Sequence, residues 1–331
     1  MSIASEISRL QQAKADIKTA IENKGVTVPS DATLDDYANL VDSISGGGGG
    51  VDWESIARGM TDGTTAFSIP SSVEVNPLAY QFNNRTNLTG DVVIKSGATI
   101  IDTNAFCNTR ITGVSIPSSV TSIGQSAFAS CLSLPSLTIP DSVTSITHYA
   151  IRNCTSLVTL VLPNSLASLG LGVFTGNTSL LSVSIPPTLA TIPRETFQNC
   201  RGLTSVTISE GVTTIDLSAF RECRALTTLT IPNSVTTIGE IAFLLCNHLT
   251  SVTIGSSITS IGSQAFQQCS LLEEFIINAT TPPTLGTNVF NGCTALTAIY
   301  VPDASVSAYQ SATNWTTYAS KIKSINDRPT T

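Results

Sequence analysis

Apolar residues in this chain recur in widely spaced columns rather than in the stripe of a long helix. Ile116, Ile139, Leu162, Ile185, Ile208, Ile231, Ile254 and Ile277 fall at a constant step of 23 residues, and five of them are followed by proline. Seven residues further on, Ile123, Ile146, Leu169, Ile192, Ile215, Ile238 and Ile261 make a second column. A third holds Phe128, Ile151, Phe174, Phe197, Phe220, Phe243 and Phe266. A unit this short cannot cover its own apolar positions, so it stacks and buries them against the next coil, which predicts a quasi-one-dimensional solenoid.

Within one unit, Leu134, Leu137 and Ile139 read as a short strand stopped by Pro140, which has no N–H to give a ladder. Val143 to Ile146 reads as a second short strand, and Gln125-Ser126-Ala127-Phe128 as a helical turn that plugs a ring into the core. About ten coils at the usual strand spacing make a body on the order of 50 Å long. The unit LTSVTIPxSVTSIGxxAFxxC resembles the BspA-type leucine-rich repeat, over about residues 64–300. That resemblance implies a leucine-rich-repeat solenoid of short strands and helical turns, in a family of bacterial and protist surface or secreted adhesion proteins. The coils around Ile69-Pro70 and Ile94 depart from the pattern, and Asn84 to Thr89 is expected to loop out.

The repeat also absorbs the residues that otherwise suggest chemistry. Cys107, Cys131, Cys154, Cys200, Cys223, Cys246, Cys269 and Cys293 lie at or beside one repeat position, with Asn177 filling the gap. Metal sites call for close pairs such as C-x-x-C, and parallel side chains in a stacked ladder suit disulfide geometry poorly, so reduced core thiols are expected. His148 and His248 occupy variable positions without a motif around them. No catalytic triad order, phosphate loop or recurrent carboxylate pair is present, which predicts no catalytic residue, no cofactor and no metal. Glu273 and Glu274 read as a solvated strand edge, with a calcium contact as the lesser reading.

Strand alternation places two ranks of small hydroxyl residues on one outer face. The candidate binding residues are Ser136, Thr159, Ser182, Ser205, Thr228 and Ser251 in one rank, with Thr138, Ser184, Thr207, Thr230 and Thr253 beside them. The second strand adds others, among them Thr213, Thr236 and Thr259. Such ranks can hydrogen-bond a glycan or a protein surface; equally, Thr and Ser merely suit a wet strand. Aromatic anchors are scarce there.

Residues 1–45 differ in kind. Ile3, Ile7, Leu10, Ile17 and Ile21 follow coiled-coil steps, interrupted by Lys14 at a core position where one polar residue can fix register and oligomer state. Self-association and packing on the same chain both fit this stripe. A second amphipathic segment, with Leu34, Tyr37, Leu40, Val41 and Ile44, leads to the linker Gly46–Gly50. The motifs ISRLQQAKADIKTAIENKG and LDDYANLVDSI resemble N-terminal attachment modules of bacteriophage fibres and appendages. That resemblance implies a virion location, a homo-oligomer taken as a trimer, and other virion proteins as partners. Residues 51–63, with Trp53, Ile56 and Met60, read as an N-terminal cap, and residues 301–331, with Trp315, Tyr318, Ile322 and Ile325, as a C-terminal cap.

Composition narrows the partners. Charged residues make up only 12% of the 331, and the formal net charge is −7. Without a Lys/Arg run, nucleic acid is not expected as a partner. No segment has the length of a membrane span, and MSIASEISRLQQAKADIK lacks the apolar core of a secretory signal, so neither membrane insertion nor Sec export is expected. Together these features predict a non-enzymatic virion fibre that adheres to a host surface protein or glycan through its solenoid. The alternative is a BspA-like adhesin at the cell surface or in the extracellular space.

Overall fold

The computed structural model describes residues 67–68, 74–75, 77–78 and 81–329. The attachment stripe from Ile3 to Ile21, the glycine linker and Trp53, Ile56 and Met60 lie outside the described residues.

The chain winds into about ten coils of ~23 residues. From Ser136 to Val301 each coil contributes a long strand of three or four residues and a short strand of two, the earlier long strands Leu88–Ile94 and Arg110–Ser115 are longer, and every strand pairing is parallel, coil upon coil. Ser136–Thr138, Thr159–Val161, Ser182–Ile185 and Ser205–Ile208 form one ladder of long strands. Thr228–Ile231, Ser251–Ile254, Glu274–Ile277, Ala298–Val301 and Ile322–Ser324 form another, and no pairing joins the two ladders. A proline follows most long strands, and its carbonyl closes the turn, as Pro117 O accepts Val120 N–H at 3.1 Å and Pro140 O accepts Val143 N–H at 3.0 Å. Proline thus ends the ladder on the donor side while its carbonyl starts the next bend.

On the third side each coil makes tight turns rather than helix. Two residues per coil, four apart, adopt the left-handed region, as Ser126 (φ 52) and Ser130 (φ 59) do. In these turns the N–H groups donate forward: Phe128 N–H reaches Ala150 O at 2.8 Å, and Phe220 N–H reaches Ala242 O at 2.8 Å. At the start of the short strands they donate backward, as Thr144 N–H does to Thr121 O at 3.0 Å. The three apolar columns converge on a single core that runs the length of the stack. Its Phe rings are stacked coil on coil, with centroids 5.3 Å apart for Phe220–Phe243 and 5.1 Å for Phe243–Phe266.

The Phe stack extends further toward the N-terminus than the constant spacing indicates. Phe82, Phe106 and Phe128 stack in the same manner. Asn84 to Thr89 does not loop out. Asn84 takes the left-handed position and accepts from Asn108 Nδ2 at 2.6 Å, while Leu88 is fully buried and opens the strand Leu88–Ile94. That coil is regular in three dimensions but irregular in its sequence step.

The cysteine column is built from free thiols, all buried except the half-exposed Cys107. Each buried thiol donates to the carbonyl at the Phe column one coil earlier, as Cys200 does to Phe174 O at 3.2 Å and Cys223 to Phe197 O at 3.3 Å. Asn177 does the same with Nδ2, to Ile151 O at 3.0 Å, and its Oδ1 also accepts Cys154 N–H at 2.8 Å. The column therefore selects a small side chain that can satisfy a buried carbonyl.

At the C-terminal end, Tyr309 and Trp315 pack edge to face on the last coil. Their polar atoms meet its open carbonyls, Tyr309 Oη to Ala279 O at 2.9 Å and Trp315 Nε1 to Pro283 O at 2.9 Å. Tyr318 and Ile322 join the core, as the sequence predicts, but Ile325 does not. It crosses to the outer side of the long strands and packs on Ile276, Ala298 and Tyr300.

Candidate binding face

The register brings the sequence-predicted hydroxyl residues together on one face. Ser136 lies opposite Thr159, Thr159 opposite Ser182 and Ser182 opposite Ser205, with Ser184 opposite Thr207. In the second ladder Thr228 faces Ser251 and Thr230 faces Thr253. From Ser136 to Thr230 these side chains are exposed, whereas the strand residues between them point inward. The lattice repeats about every 4.8 Å across coils and about 7 Å along a strand.

The same residue types play two distinct parts in this fold. Thr213 Oγ1 donates to Ala190 O at 3.0 Å, Thr236 to Thr213 O at 3.2 Å and Thr259 to Thr236 O at 3.0 Å, so these threonines, each one residue ahead of a short strand, brace the preceding coil. Serine and threonine in the turns do likewise, as Thr188 does to Asn164 O and Leu166 O, both at 2.8 Å. On the long-strand face, by contrast, Thr204 and Thr250 at its margin are engaged in this way, while the hydroxyls of Ser136, Thr138, Thr159, Ser182, Ser184, Ser205, Thr207, Thr228 and Thr230 make no hydrogen bond to any described residue. That difference depends on three-dimensional placement and is invisible in composition.

The face stops short of the extent the sequence predicts. Ser251 and Thr253 are half-buried, and Ser251 Oγ donates to Glu274 Oε1 at 2.9 Å. Glu274 is not a solvated edge: Arg328 grips it from the C-terminal segment and holds its carboxyl below the ordinary carboxylate range. Beyond it, Ile276, Ala298 and Tyr300 are covered by Ile325. The open hydroxyl lattice therefore runs from Ser136 to Thr230, with one apolar member, the exposed Val161.

Both histidines are exposed, and both have Nδ1 on a neighbouring coil. His148 Nδ1 accepts Leu171 N–H at 2.8 Å, and His248 Nδ1 meets Arg224 O at 2.7 Å. Among the described residues no group of three or more His, Cys, Asp or Glu side chains is placed to hold a metal ion, and no helix is long and apolar enough to cross a membrane.

Periodicity overlooks one cluster. Arg201, Arg221 and Arg224 converge on Glu222 and account for three of the five ion pairs among the described residues. Arg201 and Arg224 are one repeat apart in a single column, and a column-wise reading of charge would have found the pair.

Stacked parallel strands, a one-sided Phe column and a capped end define a leucine-rich-repeat solenoid. The BspA type leucine rich repeat region matches residues 78–204 and 190–320 in six copies, and the chain belongs to that family. No curated protein matches the chain. Among solved structures, it is similar to a leucine-rich repeat protein from Bacteroides ovatus, with 24% identity over 79% of this chain and 84% of that one, TM-score 0.40. A leucine-rich repeat protein from Eubacterium ventriosum gives 23% identity over 70% and 71%, TM-score 0.44. A leucine rich cell surface protein from Faecalibacterium prausnitzii gives 24% over 78% and 90%, TM-score 0.35.

Proposed function

We propose that this chain is an adhesion scaffold displayed at a cell surface or in the extracellular space, which binds a protein or glycan on the long-strand face and catalyses no reaction. The observation that carries this reading is the division of labour among hydroxyls. The hydroxyls of Thr213, Thr236 and Thr259 beside the short strands, and of Thr188 in a turn, brace the preceding coil, while nine on the long-strand face, from Ser136 to Thr230, stay exposed and have no hydrogen bond to any described residue. Membership of the BspA-type family, in which surface and secreted adhesion is the implied role, supports the same reading.

A second reading places the chain on a phage particle as a homo-oligomeric fibre, taken as a trimer. Residues 1–45 would then attach it to other virion proteins, and the solenoid would meet the host receptor. Its support is the interrupted heptad stripe of Ile3, Ile7, Leu10, Lys14, Ile17 and Ile21. Immunogold labelling separates the two, since the first expects label on the cell exterior and the second on virions. Placing glutamate at Ser184 and Thr207 should abolish adhesion to the target surface, whereas glutamate at Thr213 on the short-strand side should leave it intact. Equal adhesion by all of these variants would sink the long-strand face as the binding surface.

A further inference from the structure

The arginine cluster stands apart from the rest of the surface. Only 12% of the chain is charged and its net charge is negative, yet three guanidiniums here surround one carboxylate, a local net charge of +2. Arg201 Nη2 and Arg224 Nη2 both donate to Glu222 Oε2, at 3.2 and 2.8 Å, and Arg221 Nη2 stands 3.8 Å from Oε1. Glu222 lies low, with 13% of its side chain exposed, while the arginines around it keep 52%, 36% and 44%. One carboxylate cannot satisfy three forks. Among the described residues, apart from an Nη2 contact to Asn199, Arg201 and Arg224 have no other acceptor, and Arg221 Nε is buried without one. Arg221 Nε is closed to solvent, so the donors left for a second oxyanion are the solvent-exposed ones of the three guanidiniums.

Placement on the fold indicates what carries that oxyanion. Arg201 and Arg224 each stand four residues ahead of a long strand, at Ser205 and Thr228, and so flank the rim of the hydroxyl lattice. This is also where the two ladders of long strands meet without pairing, and where Val206 is half-buried although Val183, Leu229 and Val252 are buried. A ligand seated on both features carries oxyanions and a dense array of hydroxyls. We propose that Arg201, Arg221 and Arg224 form a receptor site for an acidic polysaccharide, gripping one of its carboxylate or sulfate groups while the adjoining Ser205, Thr207, Thr228 and Thr230 bond its sugar hydroxyls. A nucleic acid is a poorer match, because its phosphate backbone is tracked by an extended basic patch or stripe, whereas this chain is sparse in charge and net negative. This site deepens the adhesion reading and rests on it for the macromolecular nature of the ligand.

The test uses the full chain over immobilised polygalacturonate, dextran sulfate and unmodified dextran at low ionic strength. Retention on an acidic polymer, weakened by salt and absent on dextran, is expected, and the better of the two acidic polymers identifies the oxyanion. Arg201→Gln with Arg224→Gln should weaken binding about tenfold or more, the order expected for losing one or two charge-assisted bonds. Glu222→Gln removes the competing carboxylate and should tighten binding, an opposite sign that a merely structural ion pair does not produce. Arg201→Lys, which keeps the charge and loses the fork, should fall between wild type and the double variant and covers the case in which the latter fails to fold. Unchanged retention in the arginine variants, or weaker binding by Glu222→Gln, overturns the site. A chain that adheres to cells yet ignores both acidic polymers overturns the site alone. One that binds them but is never found outside a cell or on a virion overturns the adhesion reading alone.

Discussion

Arg328 reaches back across 54 residues to clasp Glu274 with two parallel hydrogen bonds, Nε to Oε2 at 2.9 Å and Nη2 to Oε1 at 2.6 Å. The clasp fixes the segment that covers Tyr300 and Ile276, and it ends the open face at the coil of Ser251. The Arg328 guanidinium lowers the Glu274 carboxyl below its unfolded value. The pair's contribution is therefore fully present above the ordinary carboxylate range, about 4.3, and is lost as pH falls through the lowered folded value. Glu274→Gln should cost up to about 1 kcal/mol at neutral pH, as befits a partly exposed pair. Urea titrations of wild type and variant should converge in acid; a gap that persists there would point to packing instead.

Asn177 serves two backbone groups at once, donating to Ile151 O and accepting from Cys154 N–H. Asn177→Leu leaves both buried groups without a partner and should destabilise the chain by about 2–5 kcal/mol. Asn177→Cys retains the donor, as in the other coils, and should cost clearly less. Chemical denaturation of the two variants side by side measures the difference; equal costs would mean that side-chain volume, not hydrogen bonding, governs the column.

Ile241 occupies the left-handed column at φ 49, where other coils place Asn104, Gly172 and Asn288. A β-branched residue is strained in that region by about 1–3 kcal/mol. Ile241→Asn should raise stability by about 1 kcal/mol, read as a higher denaturation midpoint with an unchanged slope. A lower midpoint would show that the apolar contacts of the half-buried side chain outweigh the strain.

Burial pushes the thiols of Cys200 and Cys246 up to about 12, and it raises Cys107 as well. A thiol reagent at mildly alkaline pH should therefore label one site per native chain, slowly, at the half-exposed Cys107. All eight should react after unfolding. Mass spectrometry of the labelled peptides checks this, and rapid native labelling at Cys200 or Cys246 would contradict the packed column.

The three apolar columns were legible because a buried site repeated at a constant step leaves its imprint in residue type. Phe82 and Phe106 escaped that reading, since their coils depart from the common step although their rings still stack. The fate of hydroxyls escaped it for another reason. Thr207 and Thr213 are chemically identical and six residues apart, yet only Thr213 points its hydroxyl at a carbonyl of the coil behind. Contacts such as Arg328 with Glu274 lie outside any repeat, because Arg328 belongs to the non-repeating C-terminal segment.

The uncommitted hydroxyls carry a further consequence. A side chain that takes no part in holding the coils can be exchanged without altering them, so each position from Ser136 to Thr230 on the outer face is an independently adjustable element on a fixed grid. Thr213, Thr236 and Thr259 lack that freedom, since each is tied to the coil before it. The outer face can therefore diversify residue by residue while the braced positions keep the frame unchanged.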